Sequence, residues 1–312
     1  MKTVLDRYRG CLVGLAIGDA LGTTIEFKGP GSFEPITDIV GGGPFRLKAG
    51  QWTDDTSMAL CLAESLLECH GFNPSDQMDR YVKWYREGYL SSTGTCFDIG
   101  NATRSALERY IVAKEPFSGT VNANSAGNGS IMRLAPVPLY YAKDPALAMK
   151  YCCESSLTTH GALECMDACK YLGSLIIGAI QGRDKETILN PLFHPIDGYW
   201  EKDVLCDKIL AIAKGSFKRK NPPAIKGTGY VVDSLEAALW AFYSSISFEE
   251  GLLLAVNLGD DADTTGAVYG QLAGAFYGES ALPGKWVKKL YDQSVIESLA
   301  ENIYRQSFIV AG

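Results

Sequence analysis

The densest chemistry in the chain lies at Asn257-Leu258-Gly259-Asp260-Asp261-Ala262-Asp263-Thr264-Thr265-Gly266. Three carboxylates and two hydroxyls fall there within six residues. A second acidic knot, Gln51-Trp52-Thr53-Asp54-Asp55-Thr56-Ser57, stands far upstream. Clustered carboxylates repel one another unless something positive sits between them, and hard oxygen donors at this density suit a divalent cation such as Mg²⁺. The two knots are therefore expected to meet in space and hold a metal pair. Asp261 and Asp263 are two residues apart, and Thr53, Asp54 and Asp55 are consecutive. Neither spacing runs along one helix face. Both suit a turn that wraps an ion just before a helix begins. A helix N-terminus is partly positive and repels a bare cation, so carboxylates must intervene. Two metals held this way can orient a hydroxyl-bearing substrate and deprotonate a water. The same residue types also make plain N-caps, but each knot holds more acids than one cap needs. Asp260 is the acid expected to face away from the ions.

The elements that must position these knots read as helices. Residues 5–22 carry glycines at 10, 14, 18 and 22, all on one face. Glycine costs a helix about 1 kcal/mol relative to alanine, so such a row implies another backbone packed close against it. The same row recurs at Gly266, Gly270, Gly274 and Gly278, directly after the acidic knot. The two helices are expected to be central and adjacent. Residues 23–51 read as a long loop, which at that length is usually functional. Further helices are expected at 55–69, from Pro74 (capped by Asn73), at 98–112, 131–142, 145–158, 161–181, 199–215, 230–244, 248–257, 264–278 and 286–308. No period-two strand run is present. The expected fold is all-α, a compact multi-helix bundle in which residues 1–312 form one domain.

Composition narrows the function. The chain has 312 residues, 46% of them hydrophobic, and a net charge of -7. No dense basic patch is available to track a phosphate backbone, which argues against nucleic-acid binding. The short basic run Lys214 to Lys220 reads as a helix end entering a solvated linker. Nine cysteines without a C-x-x-C pair point to a reducing compartment. No apolar run reaches about 18 residues, so no membrane span is expected. Asp6 and Asp19 argue against a signal peptide. A cytoplasmic monomer is expected.

Other residues are weaker candidates alone. Glu26 follows the first glycine helix, Asp98 stands at an expected helix start, and Ala126–Ser130 could offer backbone N–H groups to phosphate. His160 reads as structural by default, and Tyr230 could stack on a base or simply pack.

Together, Gly18 to Gly22 with Glu26-Phe27, Gln51 to Thr56, Asp98 to Asn101, Ala126 to Arg133, Thr159-His160, Tyr230 to Asp233 and Val256 to Gly266 resemble the ADP-ribosylglycohydrolase family. The segments occur in one order over nearly the whole chain and are most similar to the dinitrogen-reductase-activating branch. The resemblance implies a centre of two Mg²⁺ or Mn²⁺ ions held by Thr53, Asp54, Asp55, Asp261, Asp263 and Thr264. It implies hydrolysis of the N- or O-glycosidic bond linking ADP-ribose to a protein side chain, often arginine, by a metal-activated water at ribose C1. Asp98 and Glu26 are the implied acid/base candidates and, with Asp55 and Asp261, make up the implied catalytic group. Ser125 and the loop of Gly127, Asn128 and Gly129 would hold the pyrophosphate, His160 and Tyr230 would line the ADP end, and Asn101 would also bind substrate. The chain departs from many members at Asp260, where they carry glycine, and at Ala262, where they carry threonine. Ligation is left intact, but the charge around it changes. Serine-linked, nucleic-acid-linked and ester-linked ADP-ribose stay open as substrates. An isoprenoid synthase would need an acid one helical turn beyond Asp54-Asp55, where Met58 stands. A non-catalytic relative would not need both acidic knots intact.

Overall fold

A helix with glycine at every fourth residue has a strip of bare backbone, and a computed structural model, which describes residues 3–308, sets two such strips against each other. Helix α1 (Val4–Gly22) runs along α13 (Ala262–Tyr277). A Cβ placed on Gly10, Gly14, Gly18 or Gly22 would overlap the carbonyl oxygen of Gly274, Gly270, Gly266 or Ala262, respectively. The descending order makes the pair antiparallel. Gly278 departs from the expected row: it adopts φ 78° beyond the helix end, against the Asp6 carboxylate. Every residue from Gly10 to Gly22 and from Ala262 to Ala275 is buried, so these stretches of both helices lie inside the bundle.

The remaining helices wrap this pair. They are α2 (Asp54–Glu68), α3 (Pro74–Glu87), α4 (Asn101–Ala113), α5 (Pro136–Tyr140), α6 (Pro145–Leu157) and α7 (Leu163–Ile180), then the short α8 (Lys185–Ile188), α9 (Tyr199–Lys202) and α10 (Asp207–Ala213). The chain closes with α11 (Val231–Ser244), α12 (Phe248–Val256), α14 (Gly284–Val287) and α15 (Gln293–Ser307) around α13. Among the described residues there is no strand, only isolated bridges such as Gly127 with Tyr230. The fold is all-α, as expected.

Four expected boundaries are corrected. The helix expected over 131–142 contracts to α5, because Pro136 and Pro138 supply no backbone N–H and the preceding residues turn instead. Residues 199–215 divide into α9 and α10, and 286–308 into α14 and α15, where Asp292 takes φ 43°. Helix α4 begins at Asn101 rather than Asp98, since Asp98 adopts φ 58°, which no right-handed helix accommodates. The basic run is also less solvated than expected: Phe217 is buried and Lys220 pairs with Glu236 at 2.7 Å. All nine cysteines are free, and five of them are buried. No helix among the described residues is long and apolar enough to cross a membrane.

Candidate active site

Helix α1 and the turn after it organise the starts of two other helices. Thr53 and Asp261 occupy the N-cap positions of α2 and α13, yet neither side chain makes the cap bond to its own helix's backbone. The caps come from elsewhere. Asp19, fully buried in α1, accepts from the Thr53 and Thr56 backbone N–H groups at 2.9 and 3.0 Å, and from their hydroxyls at 3.0 and 2.6 Å. Glu26 Oε2 accepts from the N–H groups of Ala262 and Asp263 at 2.8 and 3.2 Å. Capping from outside releases the Thr53, Asp55 and Asp261 side chains from the ordinary capping role. The close α1–α13 contact makes it possible, because Gly22 beside Ala262 delivers Glu26 to the start of α13.

The two knots meet, as expected. Thr53 Oγ1 lies 3.3 Å from both Asp55 Oδ2 and Asp263 Oδ2. Glu26, Asp261 and Asp263 each offer a carboxylate oxygen within 4.8 Å of one another. Asp19, Glu26, Asp54, Asp55 and Asp263 are at most 5% exposed, so water does little to screen their repulsion. Among the described residues no lysine or arginine pairs with them. Burial, then the charges of Asp98, Asp55 and Asp19, raises the Asp54 carboxyl well above its ordinary range. Burial followed by repulsion from Asp19 does the same to Asp55, and burial followed by Glu26 to Asp263. Burial and Asp261 push Glu26 up to about 9 and Asp98 to about 7. Asp19 reaches only about 6, because its bonds from Thr56 and Thr53 partly offset burial.

This donor set fits divalent cations. It is all oxygen and strongly acidic, and Asp55 Oδ1 is buried without a protein partner. Thr264 is buried next in sequence to Asp263, whose Oδ1 accepts its N–H at 2.7 Å. Asp260 does turn away: it takes φ 55° and lines a separate, largely apolar cavity of about 870 Å³ with Pro30, Trp240 and Leu258.

A cleft of about 780 Å³ adjoins the cluster, lined by Asn101, Arg109, Ser125, Gly127, Lys208 and Tyr230 among others. The loop carrying Gly127 and Asn128 separates cleft from acids. Its backbone is less free for phosphate than its glycines suggest, since Gly127 N–H bonds Ser125 O and Asn128 N–H bonds Gly229 O. The Asn128 side chain points to the acids, donating to Asp261 Oδ2 at 3.0 Å while also reaching Ser234. Ser125 Oγ donates to Asn122 O at 2.6 Å. Tyr230 lines the cleft with its hydroxyl held between Lys208 Nζ and Glu164 Oε2, at 2.6 and 2.7 Å.

His160 is buried behind the loop, where a Cβ on Gly127 would lie 3.5 Å from its Nε2. Arg133, 0% exposed, donates to Thr159 Oγ1 at 2.7 Å, and Thr159 Oγ1 lies 2.8 Å from His160 Nδ1. Thr159 Oγ1 thus bridges the Arg133 guanidinium and Nδ1 of His160. Burial and nearby Arg133 pull His160 down to about 3. Sequence reasoning assigned no role to Asp19 or Arg133. Asp19 does have a signal in the sequence: it is the one charge in the otherwise apolar and glycine-rich stretch from Gly10 to Gly22.

A buried carboxylate cluster beside an open cleft, in an all-helical bundle, defines a helical protein with a metal-capable centre. A family model described as ADP-ribosylglycohydrolase matches residues 1–308, and the chain belongs to that family. It is accordingly a hydrolase of the ADP-ribosyl glycosidic bond. The ADP-ribosylarginine hydrolase Tri1 of Serratia proteamaculans is 43% identical over 300 residues, covering 96% of this chain and 79% of that protein. The ADP-ribosyl-[dinitrogen reductase] glycohydrolase of Rhodospirillum rubrum is 32% identical, covering 92% of this chain and 91% of its own length. A solved structure described as an ADP-ribosylglycohydrolase-related protein complex superposes with a TM-score of 0.86 at 45% identity, covering 98% of this chain and 100% of that one.

Proposed function

We propose that residues 1–312 act as one catalytic unit, a Mg²⁺-dependent hydrolase that removes ADP-ribose from arginine side chains of modified proteins. The observation that carries this is the meeting of the two acidic knots through Thr53, with buried and unneutralised carboxylates beside an open cleft. Similarity to proteins named as ADP-ribosylarginine hydrolases, at 43% and 44% identity, supports the arginine linkage.

Two divalent cations, Mg²⁺ or Mn²⁺, would be held by Thr53, Asp54, Asp55, Asp261, Asp263 and Thr264, with Glu26 joining the Asp261–Asp263 group. When bound, they supply Lewis-acid chemistry that orients sugar hydroxyls and makes water more acidic. The chain's own residues do the rest. Asp19 and Glu26 hold the two helix starts in register. Asn128 braces Asp261 and separates the reacting ribose from the ADP end, where Asn101, Ser125, Gly127 and Tyr230 line the cleft and His160 backs the loop at Gly127 and Gly129. Asp98 caps no helix, is partly exposed and faces Asp263. It is placed to give a proton to the departing guanidine nitrogen as water oxygen bonds to ribose C1 and the C1–N bond breaks. Glu26 is spent on capping α13 through Oε2, which favours Asp98 as the proton donor.

The test is hydrolysis of defined ADP-ribosyl-arginine and ADP-ribosyl-serine peptides with Mg²⁺ and with EDTA. Arginine-linked release that needs Mg²⁺ is expected. Release from serine alone would move the linkage, and release undiminished by EDTA would remove the metal.

A further inference from the structure

Both acid-bearing turns present a phenylalanine beside their acid. Phe27 follows Glu26 and Phe97 precedes Asp98. Phe45, from the loop before α2, links them: its ring centroid lies 6.2 Å from Phe27 and 5.3 Å from Phe97, at 76° and 56°. Phe27 is 66% exposed and Phe45 and Phe97 are partly so. Phe27 is held at φ 63°, a region that costs a non-glycine residue about 1–2 kcal/mol. Its N–H is secured by the Asp260 carbonyl at 2.8 Å. A cluster whose only task was to brace the loops would bury its rings. This one holds a large apolar ring in solvent, against its backbone preference, on the turn that carries Glu26.

We propose that Phe27, Phe45 and Phe97 form an aromatic rim that receives the guanidinium and apolar stem of the acceptor arginine. This rests on the arginine-linked reading of the function. A guanidinium is planar, weakly hydrated and cationic. It stacks on aromatic faces and is drawn to adjacent carboxylates, which suits a rim of phenyl rings around Glu26 and Asp98. A serine acceptor offers neither charge nor a flat face. The rim thus selects the acceptor side of the scissile bond, while the Asn101–Tyr230 cleft serves the ADP side.

The experiment compares wild type with Phe27→Leu, Phe97→Leu and Phe27→Trp, all loaded with Mg²⁺, using an ADP-ribosyl-arginine peptide as substrate and free ADP-ribose as inhibitor. Each leucine variant is expected to raise KM about 2- to 5-fold, the strength of an exposed cation–π contact. The kcat and the ADP-ribose Ki should stay at wild-type values, and Phe27→Trp should keep or lower the KM. A KM unchanged in both leucine variants overturns the rim. A Ki that rises in step with KM also overturns it, because the rings would then only brace the loops. A wild-type enzyme inactive on the arginine peptide but active on another linkage overturns the functional reading itself, before any variant is compared.

Discussion

Asp19 Oδ1 takes both the backbone N–H and the hydroxyl proton of Thr53, at 2.9 and 3.0 Å. A carboxylate on one helix thereby caps another and aims its first hydroxyl at the acid cluster. Replacing it with asparagine introduces a donor where the site needs an acceptor. Asp19→Asn is expected to weaken Mg²⁺ binding about 10- to 100-fold, as for other residues that orient metal ligands. Calorimetric titration of Mg²⁺ checks this, and wild-type affinity would show that Thr53 needs no such support.

The glycine rows predict a steep size limit. Gly18→Ala drives a methyl into the Gly266 carbonyl, and neither helix can retreat without moving the other glycine contacts. Overpacking of this kind costs about 1–3 kcal/mol, with rigid backbone on both sides favouring the upper end. Gly29→Ala, where nothing lies within 4 Å of an added Cβ, is the neutral control. Urea unfolding of the two variants side by side should separate them clearly.

The acids predict that the metal contributes to stability as well as to activity. Removing cations with EDTA should lower the melting temperature. Returning Mg²⁺ to 100 times its Kd should restore about 2.7 kcal/mol. Asp261→Ala removes an acid that Asn128 braces at 3.0 Å, and should lose both the Mg²⁺-dependent stabilisation and the activity. Full Mg²⁺-dependent activity in that variant would overturn the ligand assignment.

His160 provides the pH-dependent case. Its folded value of about 3 lies below the ordinary 6.5. Between the two the unfolded chain binds the extra proton, so this residue's contribution to stability is intact above 6.5 and is lost as pH falls toward 3. Nitrogen-15 NMR should show a neutral ring at pH 5. Thr159→Val removes the hydroxyl that joins Nδ1 to Arg133, and should shift the balance of the two ring tautomers. A wild-type tautomer balance in that variant would remove Thr159 from the account.

Much of this protein is legible in its residue order. Helical period, capping pairs and the lack of alternation specify an all-α chain, because those signals are local. The two acidic knots announce themselves by charge density, since no fold buries that many carboxylates without a purpose for them. The glycine rows even point to a backbone contact between segments 250 residues apart in order of magnitude, because glycine at each fourth place is costly unless something fills the space.

Tertiary structure decided how those parts are used. That Asp19 and Glu26 cap α2 and α13 from outside, that Asn128 turns to Asp261 and not to the cleft, and that Asp98 stands in a left-handed turn all depend on distant partners. So does the pairing of Phe27 with Phe45. Hydrogen bonds and carboxylate repulsion act over a few ångströms in space, and proximity between residues far apart in the chain exists only once the helices have packed.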